Sequence, residues 1–222
     1  MRPPEPDGLD VTGRVLEQDP KSLGHPAPKA PVHSIRWAHH GPVFDQGQTR
    51  TCCSMAITQA FNTLPLFKPP PQEVGRALSL HGRTTRLDDY LENEWPEFNQ
   101  GSSVLAAAKA AQEAGWITTY TWAFGLDHFK QAIQTGPLVM GTPWFTGMLE
   151  PVLEGAVRAV GEVEFWHAWV AVGYDAKRRW TIGLNSWGEE WADGGFFYVK
   201  DDSMEILLGS QYQSDALLPS AT

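Results

Sequence analysis

The sequence predicts an α+β chain with a helical front half and a strand-rich back half, and three features of it predict this. Apolar residues recur at helical spacing from about residue 52 to residue 136, β-type runs take over at Pro137, and residues 1 to 32 carry neither pattern. Those first 32 residues are rich in Pro, Gly and charge, and "HPAPKAPVHS" closes them. They read as an extended arm (1–32) ahead of one domain spanning 33–222.

"SIRW" then predicts a short strand, and "HHGPVFDQGQTR" an ordered loop with Gly and Pro turns. Residues 52 to 64 predict a helix whose apolar stripe runs through Cys53, Ile57, Ala60 and Leu64. "PQEVGRALSL" and "RLDDYLEN" predict two shorter helices. "SSVLAAAKAAQEAG" is the clearest helix, with Ser102 or Ser103 as N-cap and Gly115 as stop. "LDHFKQAIQTG" repeats that grammar up to Gly136. Beyond it, "PLVMG", "HAWVAVGYD", "RWTIGLNS" and "FFYVKD" read as strands, with "YDAKRRW" as a hairpin turn.

A net charge of −9 with no basic run argues against a nucleic-acid partner. No apolar stretch approaches membrane-spanning length, so no membrane partner is expected. The start, "MRPPEPDGLDVTG", lacks the charged-then-apolar order of a secretory signal. The only two cysteines, Cys52 and Cys53, are adjacent and build no disulfide framework, which suits a reducing compartment. A cytoplasmic protein is the expectation; the oligomeric state stays open. Ten Trp are many for 222 residues, and their crowding into the later half predicts a bulky core.

The cysteine doublet is the chemical focus. Adjacent α-carbons on a trans peptide lie about 3.8 Å apart, below the usual disulfide range, so a bridge would distort the helix start. His39 and His40 lie nearby without any metal-ligand spacing, and neither metal nor cofactor is expected. Cys52 falls at the opening turn of a helix, where unpaired N–H groups and the helix dipole favour a thiolate. The apolar stripe turns Cys53 into the core and Cys52 toward the loop "DQGQTRT".

A thiol nucleophile needs a base, an orienting group for that base and oxyanion donors. His167 opens an apolar strand, and Asn185 ends the next one. Antiparallel pairing of those strands would let Asn185 hold the His167 ring, with Trp187 lying over the contact. Gln46 sits six residues before Cys52 and can aim its amide beside the Cys52 N–H.

With these contexts the order Gln, Cys, His, Asn resembles the papain-like cysteine peptidases over roughly residues 34 to 200. "SIRWAHHGPVFDQG" is similar to the opening of the mature enzymes, and "HAWVAVGYD" to their histidine strand. "NSWGEEWADGGFFYV" is close to their Asn-Ser-Trp-Gly signature. The resemblance implies a helical left half and an antiparallel β-sheet or barrel right half, with the active-site cleft between them. It implies Cys52 as nucleophile, His167 as ion-pair partner and proton donor, Asn185 as orienter and Gln46 as oxyanion donor. Gly101 and Ser102, in "FNQGSSVLAAAKAAQEAGW", would contact the substrate backbone. The pattern resembles the short, disulfide-free bacterial or phage-encoded branch.

The departures concern the cleft. The family's Cys-Gly-Ser/Ala-Cys-Trp/Tyr signature reads Thr49-Arg50-Thr51-Cys52-Cys53 here. Arg50 replaces a cleft-lining glycine, Cys53 replaces an aromatic ring, and Trp166 adds a large ring beside His167. Arg50, Gly101, Ser102, Trp166 and Trp187 are therefore the expected substrate-binding residues. The implied activity is hydrolysis of peptide or isopeptide bonds in a peptide or protein substrate, through a covalent acyl-enzyme. Two alternatives stay open. One is a thiol amidase or acyltransferase acting on cell-wall peptides. The other is a weak or inactive papain-fold binding module, with Arg50 and Trp166 narrowing the cleft.

Overall fold

The computed structural model describes residues 13–14, 20–88 and 95–221. In chain order its elements are α1 (Pro20–Leu23), β1 (Ile35–Arg36), α2 (Cys52–Phe61), α3 (Val74–Leu87), α4 (Val104–Glu113), β2 (Thr119–Trp122) and α5 (Gly125–Ala132). They continue with β3 (Leu138–Phe145), β4 (Ala156–Val157), β5 (Val163–Asp175), β6 (Trp180–Leu184), β7 (Phe196–Lys200), α6 (Asp201–Leu207) and β8 (Asp215–Ser220). The class is α+β, with a large sheet that is almost entirely antiparallel.

The strands run β2-β8-β3-β5-β6-β7-β4, an open sheet rather than a barrel, and β1 pairs with the far end of β5. Only the short β4–β7 pair is parallel among the described residues. β5 is the long central strand, and it spans two environments because side chains alternate along it. Ala168, Val170 and Val172 face the helical half, where they pack with Ile57 and Ala60 of α2 and Ala107 and Ala111 of α4. Phe165, Trp169 and Ala171 face a second core with Trp144, Phe197 and Met204. Burial on both sides explains why this strand reads as an apolar run rather than an alternating one.

The helices follow their local signals. Ser103 caps α4 by accepting a hydrogen bond from the Ala106 N–H at 2.9 Å, and Gly115 stops the chain beyond it at φ +73°. The alanines of α4 let it pack closely: Ala106, Ala107, Ala108, Ala110 and Ala111 are all fully buried. α2 starts at Cys52 as expected but ends at Phe61, with Asn62 as C-cap, three residues short of the expected Leu64. The first of the two short helices expected around residues 71–93 appears as α3, which runs on to Leu87. "RLDDYLEN" contributes only Arg86 and Leu87 to it, and residues 89–93 of that stretch lie outside the described ones. β2, β4, β8 and α6 had no sequence expectation, and α1 lies in the stretch expected to be an extended arm.

A buried polar cluster ties the helical half to the loop before α4. Ser54 meets His81 Nδ1 at 3.1 Å and Thr84 at 3.2 Å, while His81 Nε2 donates to the Gln100 carbonyl at 3.0 Å. Burial pushes the His81 pKa down, so the ring stays neutral and can donate through one nitrogen while accepting through the other. Gln100 immediately precedes Gly101 and Ser102, so this cluster fixes one wall of the cleft.

Candidate active site

α2 presents Cys52 at its first turn, where the early N–H groups have no acceptor within the helix. The β5–β6 hairpin supplies the other groups. Pairing Val170 with Leu184 brings His167, just before that point on β5, toward Asn185, just after it on β6. Nε2 of His167 and Oδ1 of Asn185 lie 2.7 Å apart. The backbone N–H of Ser186 donates to the same Oδ1 at 2.8 Å, which establishes that atom as the oxygen. His167 must then donate through Nε2, and Nδ1 is left for the thiol. Trp187 covers this bond, its ring centroid 4.8 Å from that of His167, and Trp144 meets the same imidazole edge-on at 5.1 Å.

Gln46 is buried beside this hairpin, held by hydrogen bonds to Ser186 and Thr49. Its N–H donates to the Ser186 carbonyl at 2.9 Å, its Oε1 accepts from Ser186 Oγ at 2.6 Å, and its Nε2 donates to the Thr49 carbonyl at 2.7 Å. An amide nitrogen has two hydrogens, so one remains for an oxyanion. Gln59, on α2, ties the same parts together: its Oε1 accepts from the Phe44 N–H at 3.0 Å and its Nε2 donates to the Asn185 carbonyl at 3.2 Å. Sequence reasoning passed over both Gln59 and Ser186, although Ser186 lies inside the quoted "NSWG".

The two cysteines are less separate than the helix-face argument has it. Both are free, fully buried and part of one apolar cluster. Burial pushes the Cys52 thiol up, but hydrogen bonds from Cys53, His167 and the Ala168 backbone, with the charge of His167, outweigh it and hold Cys52 well below the usual thiol range. Cys53 goes the other way: burial, its hydrogen bond to Cys52 and the Cys52 charge keep it a neutral thiol. Cys53 Sγ donates to the Ser102 carbonyl at 3.0 Å, so its single proton is shared between that carbonyl and the neighbouring sulfur.

Three of the five expected substrate-binding residues, Arg50, Ser102 and Trp166, border one groove around Gly13 and Arg14. Arg50 is held by its N–H to Asn99 Oδ1 at 2.9 Å. Gly101 and Ser102 are buried, and half-buried Trp166 stands on β5. Trp187 is 4 % exposed and packs on His167 and Trp191 instead of facing the groove. The groove is occupied by the chain's own Gly13 and Arg14. The Gly13 carbonyl accepts from the Ser102 N–H at 3.0 Å, and Arg14 bridges in parallel to Ser102. A Cβ on Gly13 would lie 2.8 Å from Cys52 Sγ, so the backbone rests against the sulfur. Among the described residues, no group of three His, Cys, Asp or Glu side chains is arranged to hold a metal, and no helix is long and apolar enough to cross a membrane.

Comparison with known proteins agrees with this geometry. Residues 107–214 match the model of the papain family cysteine protease, a span that includes His167 and Asn185 and excludes Cys52. No curated protein matches the chain in sequence. Among solved structures, xylellain, a cysteine protease from Xylella fastidiosa, superposes with a TM-score of 0.73 at 16% identity, over 96% of this chain and 97% of that one. The Carica candamarcensis cysteine protease CMS1MS2 gives 0.59 at 17% identity, over 86% and 99%. A procathepsin B from Trypanosoma congolense gives 0.62 at 11%, over 95% and 86%. At such identities these likenesses speak for the fold alone. The match over residues 107–214 and the shared fold make the chain similar to the papain-like cysteine peptidases.

Proposed function

We propose that the protein hydrolyses peptide bonds of a peptide or protein substrate through the Cys52 thiolate. The observation that carries this reading is the 2.7 Å bond from His167 Nε2 to Asn185 Oδ1, which leaves Nδ1 for a thiol held well below its ordinary pKa. Cys52 attacks the carbonyl carbon, and the oxyanion is held by the Cys52 N–H and the remaining Gln46 amide hydrogen. His167 gives its proton to the leaving amine, and the thioester forms as the C–N bond breaks. A water molecule then passes a proton to His167 and attacks the thioester, releasing the acid and restoring the thiolate–imidazolium pair. Asn185 keeps the ring in the required tautomer throughout, and Trp187 shields that bond from water.

A silent binding module is the second reading, favoured by the full burial of Cys52 under Gly13. Incubation with a peptide library, read by mass spectrometry, separates the two. Cleavage by the wild type that Cys52→Ser abolishes supports the peptidase. New amide products in the presence of an added amine would move the assignment to acyl transfer. Intact peptides after displacement of Gly13 would favour the silent module.

A further inference from the structure

Arg14 is only 1 % exposed, an unusual state for an arginine. A buried guanidinium needs a counter-charge and acceptors, and the pocket supplies both. Asp215 Oδ2 accepts from Nε at 2.9 Å and from Nη2 at 2.6 Å, and the Gln213 carbonyl accepts from Nη2 at 2.8 Å. The guanidinium lies over the Trp166 ring, 5.2 Å from its centroid. Gly141 forms the remaining wall: a Cβ there would collide with Arg14 Nε and would stand 2.6 Å from Asp215 Oδ2. Any other residue at 141 would fill the pocket.

The pocket belongs to the sheet and not to the arm. Gly141 on β3 and Asp215 on β8 are direct cross-strand partners, and Trp166 stands on β5 across from Pro143 of β3. Its mouth opens one residue from the thiol, because Gly13 touches Cys52 while Arg14 enters the pocket. The Gly13 carbonyl is bound by the Ser102 N–H and so is not offered to the Cys52 and Gln46 donors. Gly13–Arg14 is thus an occupant held without presenting its carbonyl for attack.

We infer that the pocket floored by Asp215 and walled by Gly141 and Trp166 is a guanidinium-selecting subsite for the substrate, filled in the resting chain by Arg14. The inference rests on the peptidase reading in taking the ligand to be a peptide side chain. A planar fork satisfies Asp215 and the Gln213 carbonyl together while stacking on Trp166, which a single ammonium does not do. Nη1 is buried with no partner among the described residues, so charge and stacking, rather than complete hydrogen bonding, set the selectivity.

Two measurements on the full-length chain test this. In Arg14→Ala the pocket is vacated, and millimolar Nα-acetyl-argininamide should raise the thermal midpoint by about 2–4 °C. The uncharged citrulline analogue should not, and neither compound should shift the wild type or Arg14→Ala/Asp215→Asn. If Arg14→Ala does not fold, Arg14→Gln, which keeps the stem, takes its place. Equal shifts by both compounds, no shift by either, or a shift that survives Asp215→Asn would overturn the subsite. In the second measurement, library cleavage should show arginine preferred by about tenfold or more at one position near the scissile bond, and Asp215→Asn should erase this. Cleavage without an arginine preference overturns the subsite and leaves the peptidase reading standing. The thermal shift without any cleavage does the reverse.

Discussion

Gly13 and Cys52 touch: the glycine backbone lies so close to the sulfur that a methyl group on it would stand 2.8 Å from Sγ. That contact explains why a thiol at a helix start, where solvent access is expected, is fully buried. It also sets the first prediction. Gly13→Ala cannot keep the present geometry, and overpacking of this kind costs about 1–3 kcal/mol. The full-length variant should therefore hold its N-terminal segment less often against the thiol, and a small alkylating probe should modify Cys52 about fivefold faster or more. An unchanged rate would mean that the contact does not limit access.

Removing the orienter should slow chemistry without unfolding the protein. Asn185→Ala deletes the acceptor for His167 Nε2, a charge-assisted bond when the ring is protonated. The expected loss in kcat/KM is about tenfold to hundredfold, carried by kcat. Because the Asn185 carbonyl is backbone, its bond from Gln59 Nε2 survives the substitution. A matching fall in thermal midpoint with unchanged kcat would assign Asn185 a packing role instead.

The pH dependence has a defined sign. Cys52 is depressed, so its thiolate is present above its lowered pKa and is lost as pH falls through it. Activity should therefore rise as pH climbs through that lowered pKa. In His167→Ala, burial remains while the His167 hydrogen bond and charge are gone, so the rising limb of Cys52 alkylation should move upward. A limb that stays in place would remove His167 as the cause.

Cys53→Ala tests the coupling within the doublet. It deletes the proton shared by the Ser102 carbonyl and the Cys52 sulfur, so the alkylation limb of Cys52 should shift to higher pH while Cys52 stays the labelled residue. The loss of one buried sulfur should cost about 1 kcal/mol in chemical denaturation. An unshifted limb would return Cys53 to a packing role only.

How far the sequence carried the reading depends on the range of each contact. Cys52 as the first residue of α2, Ser103 as a cap and the β5–β6 hairpin that joins His167 to Asn185 all follow from signals within about twenty residues. The groove's occupant does not. Arg14 and Asp215 are 201 residues apart, and neither sits in a periodic pattern that names its partner. A Pro- and Gly-rich segment reads as an arm whether or not it docks, because docking depends on a pocket assembled from β3, β5 and β8. The same limit hid β2 and β8, short strands that pair with each other across nearly a hundred residues. α3 shows the converse: packing on α2 and α4 carries that helix seven residues past the end of its local pattern at Leu80, to Leu87.

The central claim, a thiolate on Cys52 activated by His167, is tested most directly by an epoxide or vinyl-sulfone probe under reducing conditions. Wild type, Gly13→Ala and His167→Ala would be compared by peptide mapping across a pH series. The account predicts modification of Cys52 alone, faster in Gly13→Ala, with an onset below the usual thiol range that His167→Ala removes. No modification in either of the first two proteins, equal modification of Cys52 and Cys53, or an onset indifferent to His167 would contradict it.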